Sequence, residues 1–336
     1  MKKKIYLAIT VDTECDKGAK WKVKQPLSFV NIYNGVVNNL QPIFDRHNVK
    51  VTYLLSPEII TNQKSVDVFK SMEDKVELGT HLHAEFIKPQ SNFNCTNTSL
   101  FQSDFNSDIE KAKLTNLTDL FKQTFGYQPL SFRAGRFGIS KDSLQILQDL
   151  GYAVDSSVTP DTQWRNQVSG KTANYYGAPY LPYYPSRSDF RRKGEMSILQ
   201  IPVTVINPRL SQVPLWIKRG IKLNKSYQHI IFNYSTNFSK PIWLRPTYSD
   251  LETMKRVTSK FIKLSQKSDV FLCMMFHSNE FEVGMSPYSL TKPAMDNIIK
   301  RLDAYLEWVN KTHITFGIGL SEIKLFYDKK SLKTDK

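Results

Sequence analysis

Short apolar runs alternate with segments of helical period along almost the whole chain. This alternation narrows the fold more than any other feature, since it demands an α/β protein with a largely parallel sheet. The first run covers residues 5–11; Ile32, Val36, Leu40, Ile43 and Phe44 then recur at helical spacing across 31–47, and a second strand is expected at 49–55. A short helix at 65–73 precedes a third strand, in which Val76, Leu78, Thr80 and Leu82 share one side while Gly79, His81 and His83 share the other. Further helices are expected at 107–125, 140–150, 248–267 and 291–311, and strands at 130–133, 153–156, 197–205, 269–276 and 313–318. About seven βα repeats without a break in composition favour one closed or nearly closed β/α barrel over two domains. The expected organisation is a single domain over 1–325 and a basic tail at 326–336. Residues 160–190 are rich in Tyr, Pro, Ser and Asn and read as an insertion, reaching to about 195, that covers the mouth of a site.

In such barrels the reactive groups collect where strands end, because the βα loops converge on one face. The chemistry-bearing residues fall at those ends: Asp12 and Glu14 after the first run, His81 and His83 after the third, then Arg133, Asp155 and His277. His81-Leu82-His83 sets two imidazoles on one side of an extended segment, where both reach one ion, and a carboxylate from the first strand completes the set. Asp12 and Glu14 also share a face, so one is free to bind metal while the other handles protons.

These motifs resemble those of the polysaccharide deacetylase, or NodB-homology, family of carbohydrate esterases, over residues 5 to about 316, in particular a bacterial surface-polysaccharide branch. Leu7-Ala8-Ile9-Thr10-Val11-Asp12-Thr13-Glu14 stands where the family has an apolar strand and Thr-Phe-Asp-Asp. Glu77-Leu78-Gly79-Thr80-His81-Leu82-His83-Ala84-Glu85 stands for the histidine motif, Phe132-Arg133-Ala134-Gly135-Arg136-Phe137-Gly138 for the arginine motif, and Asp155-Ser156-Ser157-Val158 for the acidic one. Met275-Phe276-His277-Ser278, continuing through Asn279-Glu280-Phe281 and Ser286-Pro287-Tyr288, stands for the last. The resemblance implies a distorted barrel and hydrolysis of an N-acetyl group on a sugar. It implies Asp12 as base, oriented by Arg133, His277 as general acid, Asp155 close to the centre, and Glu14, His81 and His83 as metal ligands. Thr13 replaces the usual ligand aspartate. Glu85 competes with His83 for the second histidine's place, and Asp12 and Glu14 compete for the role of base. Zinc is the expected ion, with cobalt, nickel and manganese also suited to this donor set.

The formal charge of +15 attracts nucleic acid, anionic lipid and acidic substrates without distinguishing among them. No nucleic-acid motif accompanies it, so no nucleic-acid partner is expected. Three scattered cysteines point to a reducing compartment, and no run approaches the ~20 apolar residues of a membrane span. The short first apolar run, followed by Asp12 and Glu14, reads as a strand rather than a leader, so a cytoplasmic location and a nucleotide-linked or lipid-linked sugar substrate are expected. Residues 213–225, with Leu215, Trp216, Ile217, Ile221 and Leu223 among basic residues, suit peripheral contact with the inner membrane face. Trp164, Tyr175, Tyr176, Tyr180, Tyr183 and Tyr184 are candidates for stacking on sugar rings, and Arg187, Arg191, Arg192 and Lys193 for attracting an anionic group. Two rival readings remain open: a catalytically inactive glycan-binding relative, and a metal-dependent amidohydrolase acting on a non-sugar amide.

Overall fold

A computed structural model of the chain describes residues 3–91, 100–166, 168–220, 240–266 and 268–334. Its strands are β1 (Lys4–Thr13), β2 (Thr52–Leu55), β3 (Glu77–Leu82), β4 (Ser131–Ala134) and β5 (Val154–Asp155), then the antiparallel pair β6 (Gln163–Arg165) and β7 (Thr172–Asn174). They continue with β8 (Leu199–Gln200), β9 (Val205–Ile206), its antiparallel partner β10 (Ile242–Trp243), β11 (Val270–His277) and β12 (Ile314–Gly317). The main sheet runs β11-β1-β2-β3-β4-β5-β8, every pairing parallel, and β12 adds to the first half of β1. The strand expected at 197–205 breaks at Pro202, which has no N–H to give a ladder. The bend carries Thr204 across to β11, where its amide donates to Cys273 O at 2.8 Å and its hydroxyl accepts from the Cys273 amide at 2.8 Å. The result is a distorted β/α barrel.

Period-two alternation decides what faces inward. On β1, Ile5, Leu7, Ile9 and Val11 pack in the large core beneath the helices. Tyr6 and Ala8 point the other way and join Val154, Leu199, Ile201, Phe271 and Cys273 in a second cluster inside the barrel. Each such aliphatic or aromatic side chain, fully buried, contributes about 1.5–3 kcal/mol. The same inward row continues past Ala8 to Thr10, Asp12 and Glu14, so the residues above the apolar plug are those with chemistry.

Helix formation follows the local signals. Ser107–Phe125 opens on Asn106, whose side chain accepts from the Ile109 amide at 2.9 Å, and closes on Gly126 in the left-handed region at φ +85°. Residues 31–47 are helical throughout, first as a π-helix (Asn31–Leu40), then as an α-helix (Gln41–His47).

Residues 320–334 form one helix, Leu320–Thr334, which takes in most of the stretch expected as a basic tail. Leu320 and Ile323 are buried in the barrel cluster, and Phe326 stacks on Tyr6 at 4.7 Å. The lower end of the barrel needs an apolar stopper, and this helix supplies it.

Part of the insertion joins the core as well. Tyr175 and Tyr183 have no exposed surface and Tyr176 is buried, while Arg191 and Arg192 pair with Asp189. Leu215–Arg219 is a short helix with Trp216 73% exposed, and Lys218 is turned inward to Asp161 Oδ1 at 2.9 Å and Tyr180 Oη at 2.7 Å. Residues 221–225 of that amphipathic stretch lie outside the described residues. Among the described residues no helix is long and apolar enough to cross a membrane. Cys15 and Cys273 are buried free thiols, and Cys95 lies outside the described residues.

Candidate active site

Strand register brings the candidate residues into pairs. Asp12 stands opposite His277 on β1 and β11, and His81 opposite Arg133 on β3 and β4. At Gly135 an added Cβ would collide with the Leu82 carbonyl, so only glycine lets the end of β4 lie this close to the turn carrying His83.

Glu14, His81 and His83 converge. One donor atom from each lies within 4.8 Å of the others, and all three residues are buried. Glu14 Oε1 is 3.0 Å from His81 Nε2 and 2.5 Å from His83 Nε2, while its second oxygen is held by the Lys17 ammonium. His81 Nδ1 lies 3.0 Å from the Arg133 carbonyl, which can only accept. Nδ1 therefore carries the proton, and in the neutral ring the lone pair sits on Nε2, aimed at a carboxylate oxygen. That geometry suits a cation placed between them. Burial resists ionisation of Glu14, but Lys17, His83 and His81 outweigh it and hold the carboxyl well below the usual range. Two imidazoles and a carboxylate are the donor set of open zinc sites, and cobalt, nickel and manganese accept it too.

Asp12 stands beside this trio, with Oδ2 at 4.0 Å from both His81 Nε2 and His277 Nε2. Arg133, with no exposed surface, donates from Nη1 to Asp12 Oδ1 at 2.6 Å, from Nε to Ser156 O at 2.8 Å and from Nη2 to Ser156 Oγ at 2.9 Å. Burial raises the Asp12 pKa, yet Arg133, His81 and His277 bring it below the ordinary value. Asp12 is a fixed, ionised carboxylate with Oδ1 held by Arg133 and Oδ2 turned toward the two histidines.

His277 ends β11. Glu280, in the tight turn that follows, places Oε1 at 3.0 Å from His277 Nδ1 and at 3.1 Å from its backbone amide. Arg245, just after β10, ion-pairs with that oxygen, and Thr247 donates to the other. Arg245 carried no signal in the sequence: it sits in no periodic segment and reaches His277 only through the tertiary fold. The His-x-x-Glu spacing was visible, but spacing alone does not aim a carboxylate.

Glu85 pairs with Arg136 at 2.6 Å and supports His83 Nδ1 from 3.4 Å, so it stands behind His83 rather than in the trio. Asp155 is buried beneath the site. Its carboxylate accepts from the Ser157 amide at 2.9 Å and hydroxyl at 2.6 Å, and Ser157 Oγ accepts in turn from the Ala134 amide, which ties it to the end of β4.

A chain of aromatic ring contacts ends at His277. Phe137 stacks on Trp164 at 5.2 Å, and ring contacts run on through Trp243, Tyr248 and Tyr288 to Trp21, whose ring meets His277 edge-on at 4.9 Å. Tyr248 and Tyr288 are exposed.

No family model matches this chain, and no curated protein matches it. Solved structures do. A Mycobacterium smegmatis protein described as a polysaccharide deacetylase is 13% identical, with 98% of this chain and 92% of that one covered at a TM-score of 0.55. A Pseudomonas aeruginosa PAO1 protein of the same description is 13% identical, with 97% and 91% covered at 0.54. Puue allantoinase is 12% identical, with 96% and 88% covered at 0.54. This chain has the fold of the polysaccharide deacetylases, a distorted β/α barrel of parallel strands.

Proposed function

We propose that the protein is a metal-dependent hydrolase that removes an N-acetyl group from a sugar in bacterial polysaccharide or glycoconjugate biosynthesis. The observation that carries this reading is the convergence of Glu14, His81 and His83 beside a facing Asp12 and His277. Glu14, His81 and His83 hold the ion, zinc by preference, which when bound supplies Lewis acidity to a carbonyl oxygen and lowers the pKa of water. Asp12, kept ionised by Arg133, accepts the proton of the attacking water, and His277 delivers a proton from Nε2 to the leaving nitrogen. Trp21, Tyr248 and Tyr288 line the approach with ring faces of the kind that pack on the apolar side of a pyranose.

The similarity to an allantoinase structure favours one second reading, in which the same residues cleave a non-sugar amide. The test is elemental analysis of the purified chain, followed by acetate release from N-acetylglucosamine oligomers and hydrolysis of allantoin. One divalent ion per chain and acetate release support the deacetylase; hydrolysis of allantoin alone selects the second reading; no ion after soaking with zinc, cobalt, nickel and manganese overturns both. Action on a nucleotide-linked or lipid-linked sugar inside the cell belongs to the first reading, and so does peripheral contact of Trp216 and Ile217 with an anionic membrane. Liposome flotation tests the membrane contact.

A further inference from the structure

The acidic residue that the sequence offered as a neighbour of the centre, Asp155, spends both oxygens on Ser157. A different carboxylate reaches the imidazole of His277. Glu280 is fully buried, and its Oε1 meets both the ring Nδ1 and the backbone amide of His277. Arg245 is buried too, with its guanidinium on the same oxygen and 4.1 Å over the ring of Tyr248. Arg245 Nη2 lies 3.2 Å from Nδ1, but the carboxylate oxygen 3.0 Å from Nδ1 can only accept, so a proton on Nδ1 satisfies it, and the arginine and the ring both donate to the carboxylate between them. The charged groups facing the His277 ring are then Asp12 from β1, Glu280 from its own turn and Arg245 from the segment after β10.

We infer that Glu280 and Arg245 are the positioning pair of His277: Glu280 holds the proton on Nδ1 and turns Nε2 toward Asp12, and Arg245 keeps Glu280 anionic and in place. The inference rests on the reading of His277 as the group that protonates the leaving nitrogen. Water gives its hydroxyl to the acyl carbon and a proton to Asp12, the C–N bond breaks, and Nε2–H passes its proton to the departing nitrogen. The proton on Asp12 then restores Nε2, while Nδ1–H stays on Glu280 throughout. Two carboxylates, each held by a buried arginine, thus bracket one imidazole: Asp12 with Arg133, and Glu280 with Arg245. Burial works against the charge on Glu280, but Arg245 and His277 outweigh it and keep its pKa below the ordinary value.

The test uses the ¹⁵N-labelled full chain and long-range ¹H–¹⁵N correlations of the imidazoles, with His277 assigned by its loss in His277→Ala. A wild-type Nδ1–H that disappears or moves to Nε2 in Glu280→Gln is the expected result; an unchanged His277 pattern overturns the inference. Glu280→Asp keeps the charge beside Arg245 but withdraws the oxygen from Nδ1, and it gives the same readout if the glutamine variant does not fold. With the zinc-loaded enzyme, Glu280→Gln lowers kcat on N-acetylglucosamine oligomers by about 10²- to 10⁴-fold. On p-nitrophenyl acetate, whose leaving group departs without a proton, it costs less than about tenfold. Equal losses on the two substrates overturn a role through His277. A wild type inactive on both substrates removes the proposed function, and the ring correlations still decide the positioning.

Discussion

His277 Nε2 faces Asp12 Oδ2 across 4.0 Å because the two residues are register partners on adjacent parallel strands. Neither belongs to the trio of Glu14, His81 and His83 proposed to hold the ion. Asp12→Asn and His277→Ala should therefore each lower the rate of acetate release by about 10²- to 10⁴-fold while leaving the bound ion in place. Kinetics and elemental analysis on the same preparations check this; loss of the ion in either variant contradicts it.

The trio itself predicts the opposite pattern. His81→Ala and His83→Ala should lose the ion at ordinary concentrations. Glu85→Ala should retain it with affinity weakened about 10- to 100-fold, since Glu85 supports His83 from behind. Competition with a chelating dye measures all three, and complete loss in Glu85→Ala would move Glu85 into the ligand set.

Arg133 and Arg46 offer a contrast in what an ion pair is worth. Arg133 is buried against Asp12, whereas Arg46 meets Asp303 at 3.0 Å with both partners exposed. Arg133→Met strands a buried carboxylate and should cost about 3–5 kcal/mol in urea unfolding. Arg46→Met should cost less than about 1 kcal/mol.

Asp155 should leave a mark on the pH dependence of stability. Burial pushes its carboxyl up to about 6, against hydrogen bonds from Ser157 and the charge of Arg133. An unfolded Asp titrates near 3.9, so the folded chain holds an extra proton between about pH 4 and 6. The stabilisation is complete below about pH 4 and is lost as pH rises through about 6. Two pH units correspond to about 3 kcal/mol. Asp155→Asn is neutral throughout and should gain that much relative to the wild type between about pH 4 and 7. A difference that does not change with pH would contradict the raised value.

The aromatic residues divide by burial. Tyr183→Ala should cost about 3–5 kcal/mol in stability, as a buried ring removed from a core. Trp21→Ala and Tyr288→Ala should leave stability within about 1 kcal/mol and raise KM, because these rings line the approach to His277. Matching stability losses at all three positions would argue against a substrate-facing role for Trp21 and Tyr288.

The alternation of apolar runs and helical periods determined the class of fold, because the two periods reflect local backbone geometry and need no partner to be read. The inward row Tyr6, Ala8, Thr10, Asp12 and Glu14 was legible for the same reason, and so was the shared side of His81 and His83. Only the tertiary structure decided which distant side chain meets which. Arg245 and Glu280 reach His277, Lys17 holds the free oxygen of Glu14, and Asp155 is taken up by Ser157. Tyr175, Tyr176 and Tyr183 of the insertion turned inward and the last helix closed the barrel, because burial depends on what the rest of the chain leaves uncovered. A strand's period states which face a residue takes. Sheet order, register and the packing of loops state what lies across from it, and those are properties of the whole chain.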